Sequence, residues 1–408
     1  MTYEEFANAV VAHHHNDLAN PRAKFPDHLE SISNDKERAT ARDVISNWDG
    51  YEPTSLRLLS GLAKEIGIAQ IYYKDEGTRF GLGSFKALGG AYAVLRLLAH
   101  EIPALTGQAV SDAAISTGQC RDAARSITVV TATDGNHGRS VAWAAQLFGC
   151  QCVIYIHAEV SAGRAQAMEA LGARVIRIDG NYDDSVHRAA LDAKHNGWFV
   201  VSDTSYKGYT ELPRHVMTGY TVMTAEIAEQ LPRGEAPTHV FVQGGVGGLA
   251  AAVCAHFWQM LGEARARFII VEPNRADCLF QSAKNGRPTE VSITEETIMA
   301  GLSCGEVSHL SWSILEIGCD DFLTIADDLV APTMRLLAEG VQGDEPVVAG
   351  ESAVAGLAAL IAARSNAALS TALAFDERSR VLIIGTEGAT DAEIYRSIVG
   401  REPEDVVG

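Results

Sequence analysis

A chain of 408 residues, 47% hydrophobic and 21% charged, has the material for a large core and for two domains or one extended α/β unit. Its formal charge of -19 argues against nucleic acid or an anionic membrane as partner, and a neutral or cationic small molecule fits best. Seven cysteines without C-x-x-C spacing, a start without an apolar signal segment and apolar runs too short to cross a bilayer point to a reduced, cytoplasmic protein.

Residues 1–47 read as helical and polar. The adjacent His13, His14 and His15 would point in different directions on a helix, which favours a solvated surface over a metal site; no metal is expected. A short helix over Leu58 to Ile66 and a strand over Ile68 to Tyr73 follow, then the glycine-rich stretch Gly81-Leu-Gly-Ser-Phe-Lys-Ala-Leu-Gly-Gly90. That stretch sets Lys86 at the start of a helix whose buried face is Leu88, Ala91, Tyr92, Leu95 and Leu98. Gly89, Gly90 and Ala93 continue the lysine's own face, and two consecutive glycines cost roughly 2 kcal/mol relative to alanine, so they need a reason. A bare face that lets something flat approach supplies one. The helix dipole would also favour a neutral amine there, suited to Schiff-base chemistry.

Residues 102–124 read as an irregular excursion with one short helix at most. From Ile127 to Asp203, four strands alternate with three helices, which makes βαβ units and a parallel sheet. The strands are Ile127 to Thr133, Gln151 to His157, Ala173 to Ile178 and Trp198 to Asp203. After a loop at 204–213 and a helix over Val216 to Gln230, a second parallel set starts with strands His239 to Gln243 and Arg267 to Val271. Residues 286–328 are less regular, and a last strand spans Arg380 to Gly385. The expected fold is α/β: two open, mostly parallel twisted sheets flanked by helices. The expected domains are 1-92 plus 213-408 and, as the smaller one, 93-212.

Ligands of open parallel sheets gather at the carboxyl ends of the strands, and four such ends here carry unusual residues. Thr133-Asp134-Gly135-Asn136-His137 runs straight into a helix, where backbone N–H groups suit a substrate carboxylate and Asn136 suits a phenolate-like oxygen; a plain helix cap is the competing reading. Gly244-Gly245-Val246-Gly247-Gly248 opens another helix and suits a phosphate. With Glu272 at the end of the next strand it also imitates a dinucleotide fingerprint, which makes a nicotinamide enzyme the rival from another class. Asp203 and Thr386 end two further strands, and a hydroxyl such as Thr386 would hydrogen-bond a pyridine nitrogen without protonating it. Cys278 and Cys304 flank irregular segments; they are expected either to meet in a disulfide or to stay two buried thiols.

Lysine, phosphate cradle, carboxylate site and neutral nitrogen partner together specify pyridoxal 5'-phosphate. From Tyr51 to Thr390 the chain resembles the fold type II family of pyridoxal-phosphate enzymes, of the tryptophan synthase beta kind, and within it the diaminopropionate ammonia-lyases. The resemblance runs through Pro53-Thr54, Lys74-Asp75-Glu76, Ser84-Phe85-Lys86, Thr133 to Arg139, Asp203-Thr204, Gly208-Tyr209-Thr210, the 244–248 loop, Ala300-Gly301-Leu302, Gly350-Glu351-Ser352 and Thr386-Glu387-Gly388. It implies a cofactor in the interdomain cleft, with Lys86 holding it, Gly244, Gly245, Val246, Gly247 and Gly248 around its phosphate, Asn136 at its ring oxygen and Thr386 at its nitrogen. Ser84, Thr133, Asp134, Gly135 and His137 are the expected substrate contacts, and Lys86, Asp134 and Asp203 the catalytic residues. Threonine and serine dehydratases of similar fold usually carry a small neutral residue at the position of Asp134, and a carboxylate there would hold a β-ammonium group. The expected reaction is α,β-elimination on 2,3-diaminopropionate, L and D, by a cytoplasmic homodimer. The alternatives are a dehydratase or lyase for another β-substituted amino acid and, across class, the nicotinamide enzyme or an inactive ligand sensor.

Overall fold

The computed structural model describes residues 4–20, 22–133 and 135–407. Its strands, in chain order, are β1 (Ala12–His15), β2 (Leu56–Leu58), β3 (Gln70–Asp75), β4 (Thr128–Ala132), β5 (Gln151–Ile156), β6 (Arg174–Arg177), β7 (Phe199–Val200), β8 (His239–Gln243), β9 (Arg267–Pro273), β10 (Asp321–Ile325) and β11 (Arg380–Gly385). The chain forms two compact units, one of Met1–Ser33, Pro53–Thr78 and Met223–Gly408, the other of Asn34–Glu52 and Arg79–Val222. The chain thus passes between the units after residues 33, 52, 78 and 222; the last two stand where the sequence suggested 92 and 212, the first two were not expected, and the Lys86 helix lies with the four-stranded sheet.

The first unit holds a seven-stranded sheet in the order β1-β10-β9-β8-β11-β3-β2. Its five inner strands are parallel, and the two edge strands, β1 and β2, pair antiparallel. Every residue of β8 and β10 is buried, as expected of strands covered on both faces. The second unit holds a four-stranded, all-parallel sheet in the order β6-β5-β4-β7.

Three regions depart from the sequence reading. His13–His15 lie on β1, not on a helix, and alternation puts His13 and His15 on one face, where Nε2 and Nδ1 stand 2.8 and 3.0 Å from Asp321 Oδ1. They fasten an edge strand, with His15 still half exposed, and among the described residues no group of three or more His, Cys, Asp or Glu side chains is placed to hold a metal. β10 and the helix His309–Gly318 lie in the stretch read as less regular. The excursion after Lys86 is two short helices, Asp112–Ser116 and Arg121–Ala124, and the Lys86 helix itself runs on to Thr106.

The paired glycines also have a different reason from the one expected. A Cβ on Gly89 would stand 2.3 Å from Tyr220 Cε1 and 2.6 Å from the Val216 carbonyl oxygen, on the helix Glu211–Gln230. Gly219 of that helix returns the contact: its Cβ would stand 2.8 Å from Gly89 Cα. Gly90 in turn packs on Ser140 of the helix Asn136–Phe148, where a Cβ would lie 2.3 Å from Oγ. The bare face is filled by two neighbouring helices packed against it, not left open for a flat ligand. Gly89→Ala is therefore expected to destabilise the protein by about 1–3 kcal/mol, because a backbone carbonyl cannot yield as a side chain does. Thermal unfolding monitored by circular dichroism measures this, and an unchanged midpoint would contradict it.

Candidate active site

In the second unit, the turn before Lys86 is left-handed at Phe80 (φ 51°), Gly81 (68°) and Gly83 (74°). Glycine adopts this cheaply. Phe80 does not, and its ring is packed 4.7 Å from that of Trp143, with Trp48 and Tyr51 about it. Lys86 is the first residue of the helix Lys86–Thr106. Ser84 Oγ accepts from its N–H (3.3 Å), and its carbonyl accepts from Ser140 Oγ (2.7 Å). The peptide groups on both sides of the lysine side chain are therefore fixed.

Lys86 Nζ forms an ion pair with Asp203, the two side chains being 19% and 15% exposed. Where the helix dipole suggested a neutral amine, the lysine is paired with a carboxylate, which favours its charged form. Burial alone would raise the Asp203 carboxyl, but the Lys86 ammonium against it, helped by His137, holds it far below the usual carboxylate range. β7 lies beside β4, so Asp203 shares a sheet edge with the Thr133–His137 turn. There Thr133 Oγ1 accepts from the N–H groups of Gly135 (3.0 Å) and Gly138 (3.1 Å), so two amides that an anion would have used are already engaged. Gly135 is the N-cap residue and Asn136 the first of the helix. Asp134 lies outside the described residues. His137 Nε2 donates to the Val201 carbonyl (2.9 Å), and burial pushes its imidazole below the usual range.

In the first unit, β8 ends at Gln243 and the chain turns through Gly244 to Gly247 into the helix Gly248–Leu261. Gly245 and Gly247 have φ of 61° and 94°, and a Cβ on Gly244 would stand 2.5 Å from Glu272 Cγ. The Val246 carbonyl is pinned by the Ser308 N–H at 2.9 Å. First-turn amides of a helix have no acceptor within it and carry the positive end of its dipole, so this loop fits a phosphate. Thr386, 4% exposed, follows β11, the neighbour of β8. Gln243 Nε2 donates to the Ile384 carbonyl (2.8 Å) and so ties the two strand ends together. Cradle and hydroxyl thus lie on adjacent strands, roughly 4.8 Å apart in a sheet, a spacing one small ring with a phosphate arm can span.

Glu272 is not placed for a ribose. Its carboxyl group accepts from the N–H groups of Leu279 (3.0 Å) and Phe280 (2.7 Å), at the head of the helix Cys278–Asn285. Burial pushes it up to about 8 against those two bonds, which lessens the charge set beside an anion cradle. Of the two alternatives for Cys278 and Cys304, no disulfide joins them. Cys278 Sγ instead lies 3.6 Å from the Gly245 carbonyl, and Cys304 Sγ would be 3.7 Å from a Cβ on Gly245, so both pack against the loop. Tyr220 and Tyr209, which shape the surroundings of Lys86 and Asp203, went unassigned in the sequence; a tyrosine facing a glycine across two helices leaves no local pattern.

A lysine paired to a carboxylate, and a glycine cradle beside a buried hydroxyl, both at the carboxyl edges of parallel strands, define the class. The chain belongs to the pyridoxal-phosphate dependent enzyme family, which it matches over residues 48–387. This closes the nicotinamide alternative. The chain is 39% identical to diaminopropionate ammonia-lyase of Escherichia coli (strain K12) over 367 residues, 88% of this chain and 90% of that one. It superimposes with a TM-score of 0.86 on the crystal structure of diaminopropionate ammonia lyase from Escherichia coli in complex with an aminoacrylate-PLP azomethine reaction intermediate. That alignment has 36% identity and covers 96% of this chain and 97% of the other. An L-threonine dehydratase of Haemophilus influenzae stands further off, at 25% identity over 84% of this chain and 57% of its own length.

Proposed function

We propose that this protein is an ammonia-lyase that carries out α,β-elimination on 2,3-diaminopropionate, in both L and D forms; elimination frees one ammonia, and hydrolysis of the released aminoacrylate by water gives pyruvate and the second. The observation that carries this reading is the Lys86–Asp203 ion pair, in a chain 39% identical to a diaminopropionate ammonia-lyase over 88% of its length. Lys86 would hold the cofactor, and the loop Gly244, Gly245, Val246, Gly247 and Gly248 its phosphate, through the amides of Gly245, Val246 and Gly248, since those of Gly244 and Gly247 donate to the Val271 and Gly244 carbonyls (2.9 and 3.3 Å); Asn136 would meet its ring oxygen and the Thr386 hydroxyl its nitrogen. When bound, pyridoxal phosphate supplies the electron sink for charge leaving the α-carbon. A hydroxyl at the nitrogen leaves that sink moderate, which favours prompt elimination.

The chain's own groups do the rest. Ser84, Thr133 and His137 orient the substrate carboxylate, with the amide donors that Thr133 has not taken, and Gly135, whose N–H Thr133 holds, starts the helix that carries His137. Asp203 removes the α-proton of the L form, and Asp134 that of the D form. Asp134 also holds the β-nitrogen as ammonium, the form from which it leaves as ammonia; this role rests on the sequence resemblance. A neutral side chain at 134 would suit a departing hydroxyl equally well, so the carboxylate is what favours diaminopropionate over serine or threonine. A cytoplasmic homodimer completes the proposal: the dimer rests on the family resemblance, and the reducing compartment is supported by seven cysteines none of which is in a disulfide. No described helix is long and apolar enough to cross a membrane.

The test is product stoichiometry. Purified protein given L- or D-2,3-diaminopropionate should release two ammonia per pyruvate. Release of one ammonia with a retained amino group, or no pyruvate, would refute the assignment.

A further inference from the structure

The ladder of β7 ends at Val200, so Asp203 sits three residues past the last sheet position that fixes it. Side chains hold the intervening segment. Val201 N–H still donates to the Val130 carbonyl (2.8 Å), and the Val201 carbonyl accepts from His137 Nε2 (2.9 Å). The remaining two anchors come from one group: the Tyr209 hydroxyl accepts from the Ser202 N–H (3.0 Å) and donates to the Val200 carbonyl (2.9 Å). The Ser202 hydroxyl then accepts from the Thr204 N–H (3.1 Å), which brackets Asp203 on its far side.

The chain returns to deliver Tyr209 by a tight turn. Tyr206 and Tyr209 exchange backbone bonds of 3.1 and 2.9 Å, Gly208 takes a φ of 89° between them, and the two rings stack at 5.1 Å. Burial keeps the Tyr209 phenol protonated well above its ordinary range, so it can donate and accept at once. The Gly208-Tyr209-Thr210 stretch, so far without a role, is in this arrangement a buckle on the strand that carries Asp203.

We infer that Tyr209 is a positioning residue that fixes Asp203 against Lys86, and through it sets the rate for the L enantiomer. This rests on the reading above, in which Asp203 is the base for the L form. Tyr209→Phe keeps the ring and its stack but removes both bonds to the segment. A displacement of about 1 Å at a reacting group can cost on the order of 10²-fold, so kcat for L-2,3-diaminopropionate should fall about 10- to 100-fold. The D rate and the visible absorption of the bound cofactor should stay near those of the wild type, and the melting temperature should fall by no more than a few degrees, the cost of two part-buried bonds.

Four forms of the holoenzyme decide it: wild type, Tyr209→Phe, Asp203→Asn and the double variant, each assayed on both enantiomers. Expected is a fall in the L-to-D ratio for Tyr209→Phe, and no further fall when it is added to Asp203→Asn, since the two act through one carboxylate. L and D rates falling in parallel, no fall in either, or full additivity in the double variant would overturn the positioning role. If Asp203→Asn itself leaves the ratio unchanged, the base assignment fails and the role of Tyr209 falls with it. Tyr206→Phe, on an exposed ring, serves as the control and should leave both rates unchanged.

Discussion

Lys86→Ala is expected to yield a folded protein with no measurable lyase activity, a loss of at least about 10³-fold, as for other residues whose amine or hydroxyl bonds covalently during turnover. Folding should survive because alanine is the best helix former and the lysine side chain adds little buried apolar surface. The backbone at 86 is held by Ser84 and Ser140, whose bonds to it do not involve the lysine side chain. The variant should also change its neighbour. With the ammonium gone, the burial that now opposes ionisation of Asp203 acts alone, and its carboxyl should rise from its depressed value. Borohydride reduction of the wild-type protein followed by peptide mapping should mark Lys86, and the variant should take up no label. A mark on another lysine, or full activity in the variant, would show that the covalent site lies elsewhere.

Asp203→Asn is expected to lower turnover of L-2,3-diaminopropionate by ~10²- to 10⁴-fold while reducing D turnover far less, because asparagine keeps the size of the side chain and removes its basicity. The depressed value of Asp203 belongs to the pair with Lys86. A carboxylate held so low is a poor base, but the depression lasts only while Lys86 is an ammonium; beside a neutral lysine amine, burial opposes ionisation and makes the carboxylate more basic. Asp134→Asn should show the opposite preference and lower D turnover most. Asp134 also holds the leaving ammonium, so the L-to-D ratio and not the absolute rate is the informative quantity. An unchanged ratio in both variants would make Lys86 itself the better candidate for the proton transfer.

Much of the fold is legible in the sequence because parallel strands buried on both faces are short apolar runs separated by helical spacing. β8 and β11 were located to the residue on that basis, and β4 and β5 within a residue at either end. Edge strands escape this reading. β1 is Ala-His-His-His, held by pairing to β10 and by Asp321, neither of which is visible within a local window. β7 fails in the other direction: the apolar run suggested a strand to Asp203, but the ladder stops at Val200 and side chains take over. At the candidate site, Lys86 is marked by the glycine-rich stretch around it, and Asp203, the Thr133–His137 turn, the glycine loop and Thr386 by strand-end chemistry. The reason for Gly89 and Gly90 was not, since the atoms they would strike come from residues 140 to 220. Glu272 shows how a motif misleads: its spacing fits a ribose contact, while its oxygens are taken up by a helix start seven residues on.

The specificity constant of the holoenzyme for L-2,3-diaminopropionate, set beside those for L-serine and L-threonine under the same conditions, tests the assignment of the reaction most directly. The carboxylate expected at position 134 should make diaminopropionate the preferred substrate by on the order of 10²-fold or more, the margin that a site built for a charged group gives against analogues lacking it. Equal or greater kcat/KM for serine or threonine would place the enzyme among the hydroxyamino-acid dehydratases of the same fold.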